Sequence, residues 1–312
     1  MTELRAERRA RAAQLASAQS GMVSRRQVYA LGITRAEVRA NVAARRWARL
    51  GSQSICMHTG PLELGARHWA AVFEAGPRAY LDGVSALIEA GLERATEKDI
   101  RVSVPRGVRR RRGRGIDVRQ TRRWRADDVE LEGIPRSRVE IAAVRAALWA
   151  VSDRQAALFL TMTIQQGLST AERVSEAMLA VRRDRRRAFI HAVLLDLLGG
   201  VRSLGELDFA RECRKRGLPE PSKQVLHRSR NGSYYLDFRW PAWGLVVEVD
   251  GIQHAWVEQL VGDAIRANTV SITGDRVLRI PLLGLRVASD AFFAQIEEAL
   301  MAAGWQPGRR TA

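Results

Sequence analysis

The chain opens on a stretch whose Ala and Leu residues recur at helical intervals between polar ones. Residues 4–19 are dense in strong helix formers and stop short of Gly21, which predicts a first helix with a glycine at its C-terminal end. Ser24 precedes a short run from Arg25 to Leu31 and Gly32 follows it, predicting a second helix with Ser24 as its N-cap. Thr34 caps a third helix running from Arg35 to Arg45, and Glu37, three positions on, completes a capping box. Val38 and Val42 mark the packing face of that helix, whereas Arg35, Arg39 and Arg46 fall on another side. Residues 47–50 and 54–58 then read as two short strands around Gly51-Ser-Gln.

Helical periodicity returns from Glu63 to Glu74 and from Asp82 to Ala90, followed by a strand from Ile100 to Pro105. Arg106 to Arg125 reads as a basic loop, and Ile141, Val144, Leu148 and Val151 set a helical pattern for residues 138–198. After Gly199-Gly200 the pattern becomes a compact α/β unit. A helix from Ser203 to Lys215 ends at Gly217-Leu-Pro, and residues 223–228, 233–240 and 244–250 read as strands. A helix over 259–271, a strand over 276–280 and a closing helix over 291–303 complete the order α-β-β-β-α-β-α. No internal repeat is evident. The fold expected is an α+β multidomain chain: residues 1–62, a mostly helical middle over 63–200, an α/β domain over 201–304, and a tail.

Charge sharpens this division. The chain carries a formal +17, and the surplus is uneven: residues 1–199 hold 36 basic against 21 acidic residues, residues 200–312 only 15 against 13. A basic front attracts polyanions, nucleic acid first among them and membranes less so, while a near-neutral rear has room for clustered carboxylates. Only three basic residues are Lys, a bias that a GC-rich genome accounts for, but codon bias does not explain the excess of base over acid. Across 101–125 there are 11 basic residues and one acid, so Arg109, Arg110, Arg111 and Arg112 are candidate phosphate contacts on a mobile loop. A basic loop without a dedicated partner is the plainer alternative. Cys56 and Cys213 are too few and too distant for a disulfide framework or a thiolate zinc site, which fits a reducing cytoplasm. No signal peptide and no run of 18 apolar residues is found, so a soluble, cytoplasmic protein is expected.

Two constellations carry candidate chemistry. Helix, glycine turn and helix, with a strand pair behind them, form a winged helix-turn-helix pattern, which makes Arg25, Arg26, Arg35, Arg39, Arg45, Arg46 and Arg49 candidate DNA contacts. A solvated helix face is the competing explanation of the Arg stripe. In the strand 245–250, alternation puts Glu248 and Asp250 on one face and Val247 and Val249 on the other. Asp237 precedes Glu248 by eleven positions, and the link 241–244 is short enough to make the two strands antiparallel neighbours. Carboxylates gathered on a sheet repel one another, and a hard divalent cation relieves that repulsion. With neither a Cys cluster nor a His pair nearby, Mg²⁺ or Mn²⁺ is the expected cofactor, with Asp237, Glu248 and Asp250 as ligands.

The segment from Glu206 through Tyr235-Leu-Asp-Phe238 to Val246-Val-Glu-Val-Asp-Gly-Ile-Gln-His254 and the later Val277-Leu-Arg-Ile280 resembles the PD-(D/E)XK nucleases, specifically small domains similar to very-short-patch-repair endonucleases. The first 60 residues resemble the winged helix of AbiEi-type antitoxins. The nuclease resemblance implies a restriction-endonuclease-like fold in which Asp237 and Glu248 hold the metal and Glu206 orients water or a second ion. Asp250 stands where the superfamily motif ends in Lys; Gln253 or His254 would take over, His254 as a proton carrier near neutral pH. Simpler roles exist for several of these residues. Glu206 completes a capping box with Ser203, Asp237 has Arg239 close by, His254 suits a turn, and Asp263 with Arg266 suits an ion pair. The leading expectation is a metal-dependent endonuclease acting on duplex DNA. A regulator or antitoxin-like DNA-binding protein with a silent nuclease fold stands beside it, as does an RNA-directed nuclease; protein partners and oligomeric state are left open.

Overall fold

The structure, a computed structural model, describes residues 2–108, 113, 115–121, 125–199, 206–221, 223–228, 234–250, 264, 265, 268 and 277–307; at Glu206, Asp237 and Asp250 it describes the backbone only. It is a mixed α/β protein of two compact units, Met1–Ala146 and Ala147–Ala312. No described helix is long and apolar enough to cross a membrane.

The first unit begins with α1 (Thr2–Ser17), β1 (Met22–Ser24), α2 (Arg25–Ala30), α3 (Arg35–Ala43), β2 (Ala48–Arg49) and β3 (Ser54–Cys56). Both expected caps form. Ser24 and Gln27 exchange side-chain to backbone hydrogen bonds at 2.7 and 3.1 Å, and Thr34 and Glu37 do the same at 2.8 and 3.2 Å. β1 was not apparent in the sequence; it completes a three-stranded antiparallel sheet, ordered β1-β3-β2, because Met22 and Val23 bury themselves completely against β3. Ala12 and Ala16 of α1, Val28, Ile33, Val38, Trp47 and Ile55 close the core beneath it.

The same unit continues with α4 (Leu64–Ala75), β4 (Tyr80–Leu81), α5 (Gly83–Glu89), β5 (Ile100–Pro105), β6 (Ile116–Thr121), β7 (Val129–Glu130), β8 (Arg136–Ser137) and the start of α6 (Val139–Trp149). This region is more β-rich than the helical pattern suggested: a five-stranded sheet runs β6-β5-β4-β8-β7. The expected basic loop 106–125 is itself interrupted by β6, which pairs parallel with β5 and buries Val118. Asp117 stabilises the two strands from above, accepting from Arg101 at 3.1 Å and Arg119 at 3.0 Å. Two charged clusters lie inside this part. Asp82, fully buried, caps α5 and pairs at 2.6 Å with Arg145, while Ser137 donates to its other oxygen. His68, also fully buried, is gripped at Nδ1 by Glu89 at 2.7 Å and at Nε2 by Glu97 at 2.9 Å. Burial opposes a charge on that imidazole, yet the two glutamates outweigh it and push its pKa up to about 9.

In the second unit, α7 (Asp153–Gln165), α8 (Ala171–Leu179) and α9 (Arg187–Gly199) precede α10 (Glu206–Lys215), β9 (Lys223–Arg228), β10 (Tyr234–Trp240), β11 (Leu245–Asp250), β12 (Val277–Pro281), α11 (Leu282–Val287) and α12 (Ser289–Ala302). The sheet order is β12-β11-β10-β9, antiparallel except for the parallel pair β11 and β12. Strand alternation divides its faces. Phe238, Trp240, Val247, Val249, Leu278 and Ile280 form one face, buried under Phe209 and Cys213 of α10 and Phe292, Ile296 and Leu300 of α12. Phe209 stacks on Phe238 with ring centroids 3.9 Å apart. Alternation puts Asp237, Arg239, Glu248, Asp250 and Arg279 at positions of the opposite face, together with Val246 and Val277. α11 was not legible in the sequence; its Arg286 pairs with fully buried Asp196 of α9 at 3.0 Å.

Candidate functional site

The arginines at the start of the chain meet in one place. Arg25, Arg26, Arg35, Arg39 and Arg49 line a single open cleft of about 770 Å³ together with Tyr29, Val38 and Gln53. Arg25 and Arg26 open α2, Arg35 and Arg39 lie one turn apart on α3, and Arg49 comes from β2. Five arginines line a cleft with no carboxylate in its lining; none of the five is in an ion pair among the described residues, and Arg49 donates to the Gly51 carbonyl at 2.8 Å. Arg25 Nε is buried without a hydrogen-bond partner, and Arg35 lies over the Tyr29 ring at 5.9 Å. Arginines that repel one another in a shared cleft are stabilised by an anion, and a guanidinium fork suits phosphate oxygens. Arg45 and Arg46 do not line the cleft: Arg45 takes a left-handed φ of 53° at the end of α3, and Arg46 donates to Asn41 at 2.8 Å. Arg109, Arg110, Arg111 and Arg112 lie outside the described residues.

One residue that shapes the cleft has no signal in the sequence. Glu74, near the end of α4, accepts from Ser52 N and Oγ at 3.0 Å each, Gln53 N at 2.6 Å, and Ser54 N and Oγ at 2.8 and 2.6 Å. The whole turn between β2 and β3 is thus folded around one carboxylate. Burial works against its charge, but the hydrogen bonds of Ser54, Gln53 and Ser52 hold it below the usual carboxylate range. A Cβ at Gly51 would meet this carboxylate at 2.5 Å, which is why glycine occupies the turn. Gln53 in turn accepts the Arg25 amide at 2.8 Å through its carbonyl, linking the turn to the cleft wall.

The second constellation lies on the polar face of the β9–β12 sheet. Asp237 stands directly opposite Glu248 in the antiparallel register, and Asp250 opposite Tyr235, so the three carboxylate-bearing positions share one face. Glu248 is also opposite Arg279 of the parallel neighbour β12, and Arg279 Nε lies 3.1 Å from Glu248 Oε2. The Glu248 side chain is about a quarter exposed at 26% and that of Arg279 mostly exposed at 71%. Glu206 is the first described residue of α10. Gln253, His254, Asp263 and Arg266 lie outside the described residues, as does Ser203.

Asp237, Glu248 and Asp250 occupy positions on one face of adjacent strands and are residue types with oxygen donors, the kind a hard divalent cation takes. Among the described residues no group of three or more His, Cys, Asp and Glu is gathered as a metal centre, and Arg279 is the charge that Glu248 meets. No protein-family model matches the chain, and no curated protein matches it in sequence.

Proposed function

We propose that the protein grips duplex DNA through the arginine cleft of its N-terminal winged-helix region and hydrolyses a phosphodiester bond on the carboxylate face of its C-terminal, restriction-endonuclease-like sheet. The observation that carries this reading is the register that sets Asp237 opposite Glu248, with Asp250 two positions along on the same face, in a chain whose other end gathers five arginines that form no ion pair among the described residues. Carboxylates at opposed positions in the centre of a sheet repel each other, and a bound cation would relieve that repulsion.

Asp237, Glu248 and Asp250 would hold Mg²⁺ or Mn²⁺, which when bound polarises the scissile phosphate and lowers the pKa of the attacking water. Hydrolysis is redox-neutral: the water oxygen bonds to phosphorus, the bond from phosphorus to one sugar oxygen breaks, and the proton lost by water ends on that oxygen. Glu206 and Gln253 are assigned to orienting the water and His254 to carrying the proton. The cleft arginines hold phosphates of the duplex and keep it bound. Supercoiled plasmid incubated with the protein and Mg²⁺ or Mn²⁺ tests this: nicked circles should accumulate with the wild type and not with Glu248→Ala. Equal nicking by the two proteins, or none by either, removes the catalytic assignment.

A second reading is favoured by Arg279, which occupies Glu248, and by Asp250 in place of the superfamily Lys. There the sheet is a silent interaction module and the protein a DNA-binding regulator related in plan to winged-helix antitoxins. It predicts a short preferred duplex sequence, detectable by gel shift as a band that survives added salt and competitor DNA. Competition between duplex DNA and structured RNA separates both readings from an RNA-directed one.

A further inference from the structure

We propose that the turn between α8 and α9 is a second contact for the phosphate backbone of duplex DNA, made by Arg182, Arg183 and Arg185. The proposal rests on the duplex-binding part of the reading above; it needs neither a metal nor the carboxylate face.

Residues 182–187 read Arg-Arg-Asp-Arg-Arg-Arg, and the fold divides them into two sets. Arg186 and Arg187 are structural. Arg186 is buried: its Nε donates to Asp153 Oδ1 at 2.9 Å, and its Nη1 donates to the carbonyls of Leu148, at 3.3 Å, and Ala150. The turn is thereby tied to the link between α6 and α7. Arg187 Nε donates to the Val181 carbonyl at 2.8 Å and closes the turn across its base, while Asp184 Oδ1 accepts from the Arg186 amide at 3.0 Å. Arg182, Arg183 and Arg185 are left over. All three are exposed, and none makes an ion pair or a side-chain hydrogen bond among the described residues.

Their placement does nothing for the fold. Close like charges repel one another, and these three stand just before the first turn of α9, which contains no acidic residue and whose dipole disfavours positive charge there. Both costs are offset once an anion lies against the turn. The exposed side chains of the turn are all charged, with no apolar one to enter a lipid surface, and a row of planar guanidinium forks suits phosphate oxygens spaced along a nucleic-acid backbone. The turn belongs to the second compact unit and the arginine cleft to the first. The unit that bears the carboxylate face thus has a hold on DNA of its own.

Full-length wild type is compared with Arg182→Gln/Arg183→Gln/Arg185→Gln, with Arg182→Lys/Arg183→Lys/Arg185→Lys, and with Arg67→Gln/Arg78→Gln/Lys98→Gln, which removes the same charge from exposed positions elsewhere. Arg186 and Arg187 stay in every variant, so the turn keeps its fold. Fluorescence anisotropy uses a labelled duplex of about five helical turns, long enough to leave backbone free beyond the cleft. The wild-type slope of log affinity against log salt should be steeper than that of the turn Gln variant by about 2.7, or about 0.9 for each phosphate. Between about 50 and about 200 mM salt that variant should therefore lose about 40-fold less affinity than the wild type. The Lys variant, which keeps the charge, and the scattered variant should keep the wild-type slope. An unchanged slope in the turn Gln variant, or an equal change in the scattered one, overturns the proposal and leaves the cleft standing as the duplex site. Sedimentation with vesicles of phosphatidylcholine and phosphatidylserine is run beside it: vesicle binding that the turn Gln variant loses while its slope is unchanged assigns the turn to a lipid surface and overturns the proposal too. A wild type that does not bind the duplex overturns the duplex-binding reading, and the proposal with it.

Discussion

Neutralising Arg35 and Arg39 together gives the sharpest quantitative consequence of the N-terminal cleft. Both are exposed on α3, both line the cleft, and neither is in an ion pair among the described residues, so Arg35→Gln/Arg39→Gln removes charge without unfolding the helix. Each phosphate neutralised on duplex DNA contributes about 0.9 to the slope of log affinity against log salt. Five guanidinium groups in contact with phosphates therefore imply a slope of about −4.5, and three a slope of about −2.7. Raising salt from about 50 to about 200 mM should weaken wild-type binding about 500-fold and binding by the double variant only about 40-fold. Fluorescence anisotropy with a labelled duplex of about two helical turns measures both slopes directly. If the double variant keeps the wild-type slope, Arg35 and Arg39 do not touch phosphates, and the cleft is not the DNA-binding surface.

Glu74→Ala should loosen the β2–β3 turn, leaving the buried Ser54 donors unpaired at a cost of roughly 2 kcal/mol, and should weaken duplex binding although residue 74 lies outside the cleft lining; unchanged affinity would show that the turn does not shape the cleft. Asp82→Ala should cost about 3–5 kcal/mol in urea unfolding, because Arg145 is left buried without its anion, and a loss under about 1 kcal/mol would mean that water reaches the guanidinium. Thermal melts against pH should register His68. Its pKa rises from 6.5 to about 9 on folding, so its stabilisation is complete below about pH 6.5 and drains away as the pH climbs through about 9. His68→Leu should flatten that alkaline fall, and a melt curve identical to wild type would refute the charged state.

Local chemistry wrote much of this fold into the sequence. Ser24 with Gln27 and Thr34 with Glu37 announce their helices because a cap needs only residues three apart, and the tight link at Gly244 settles the antiparallel partner of β11 by chain geometry. Asp237 opposite Glu248 is legible for the same reason. Where a partner comes from far along the chain, the signal fades. The contact of Arg279 with Glu248 depends on a parallel register set by a long crossover, which no local pattern encodes. Glu74 looks like any acid near a helix end, and its grip on Ser52, Gln53 and Ser54 exists only once α4 packs beside the turn. The two-residue strands β4, β7 and β8 are too short for alternation to register, so the five-stranded sheet was hidden behind α4 and α5.

The central claim is that the face bearing Asp237, Glu248 and Asp250 binds a divalent cation for phosphodiester hydrolysis. Crystals of the full chain soaked in Mn²⁺ and measured at the manganese edge test it most directly. An anomalous peak between these three residues, with the Arg279 guanidinium displaced from Glu248, is the predicted result. A map without such a peak, with Arg279 still hydrogen-bonded to Glu248, would contradict it.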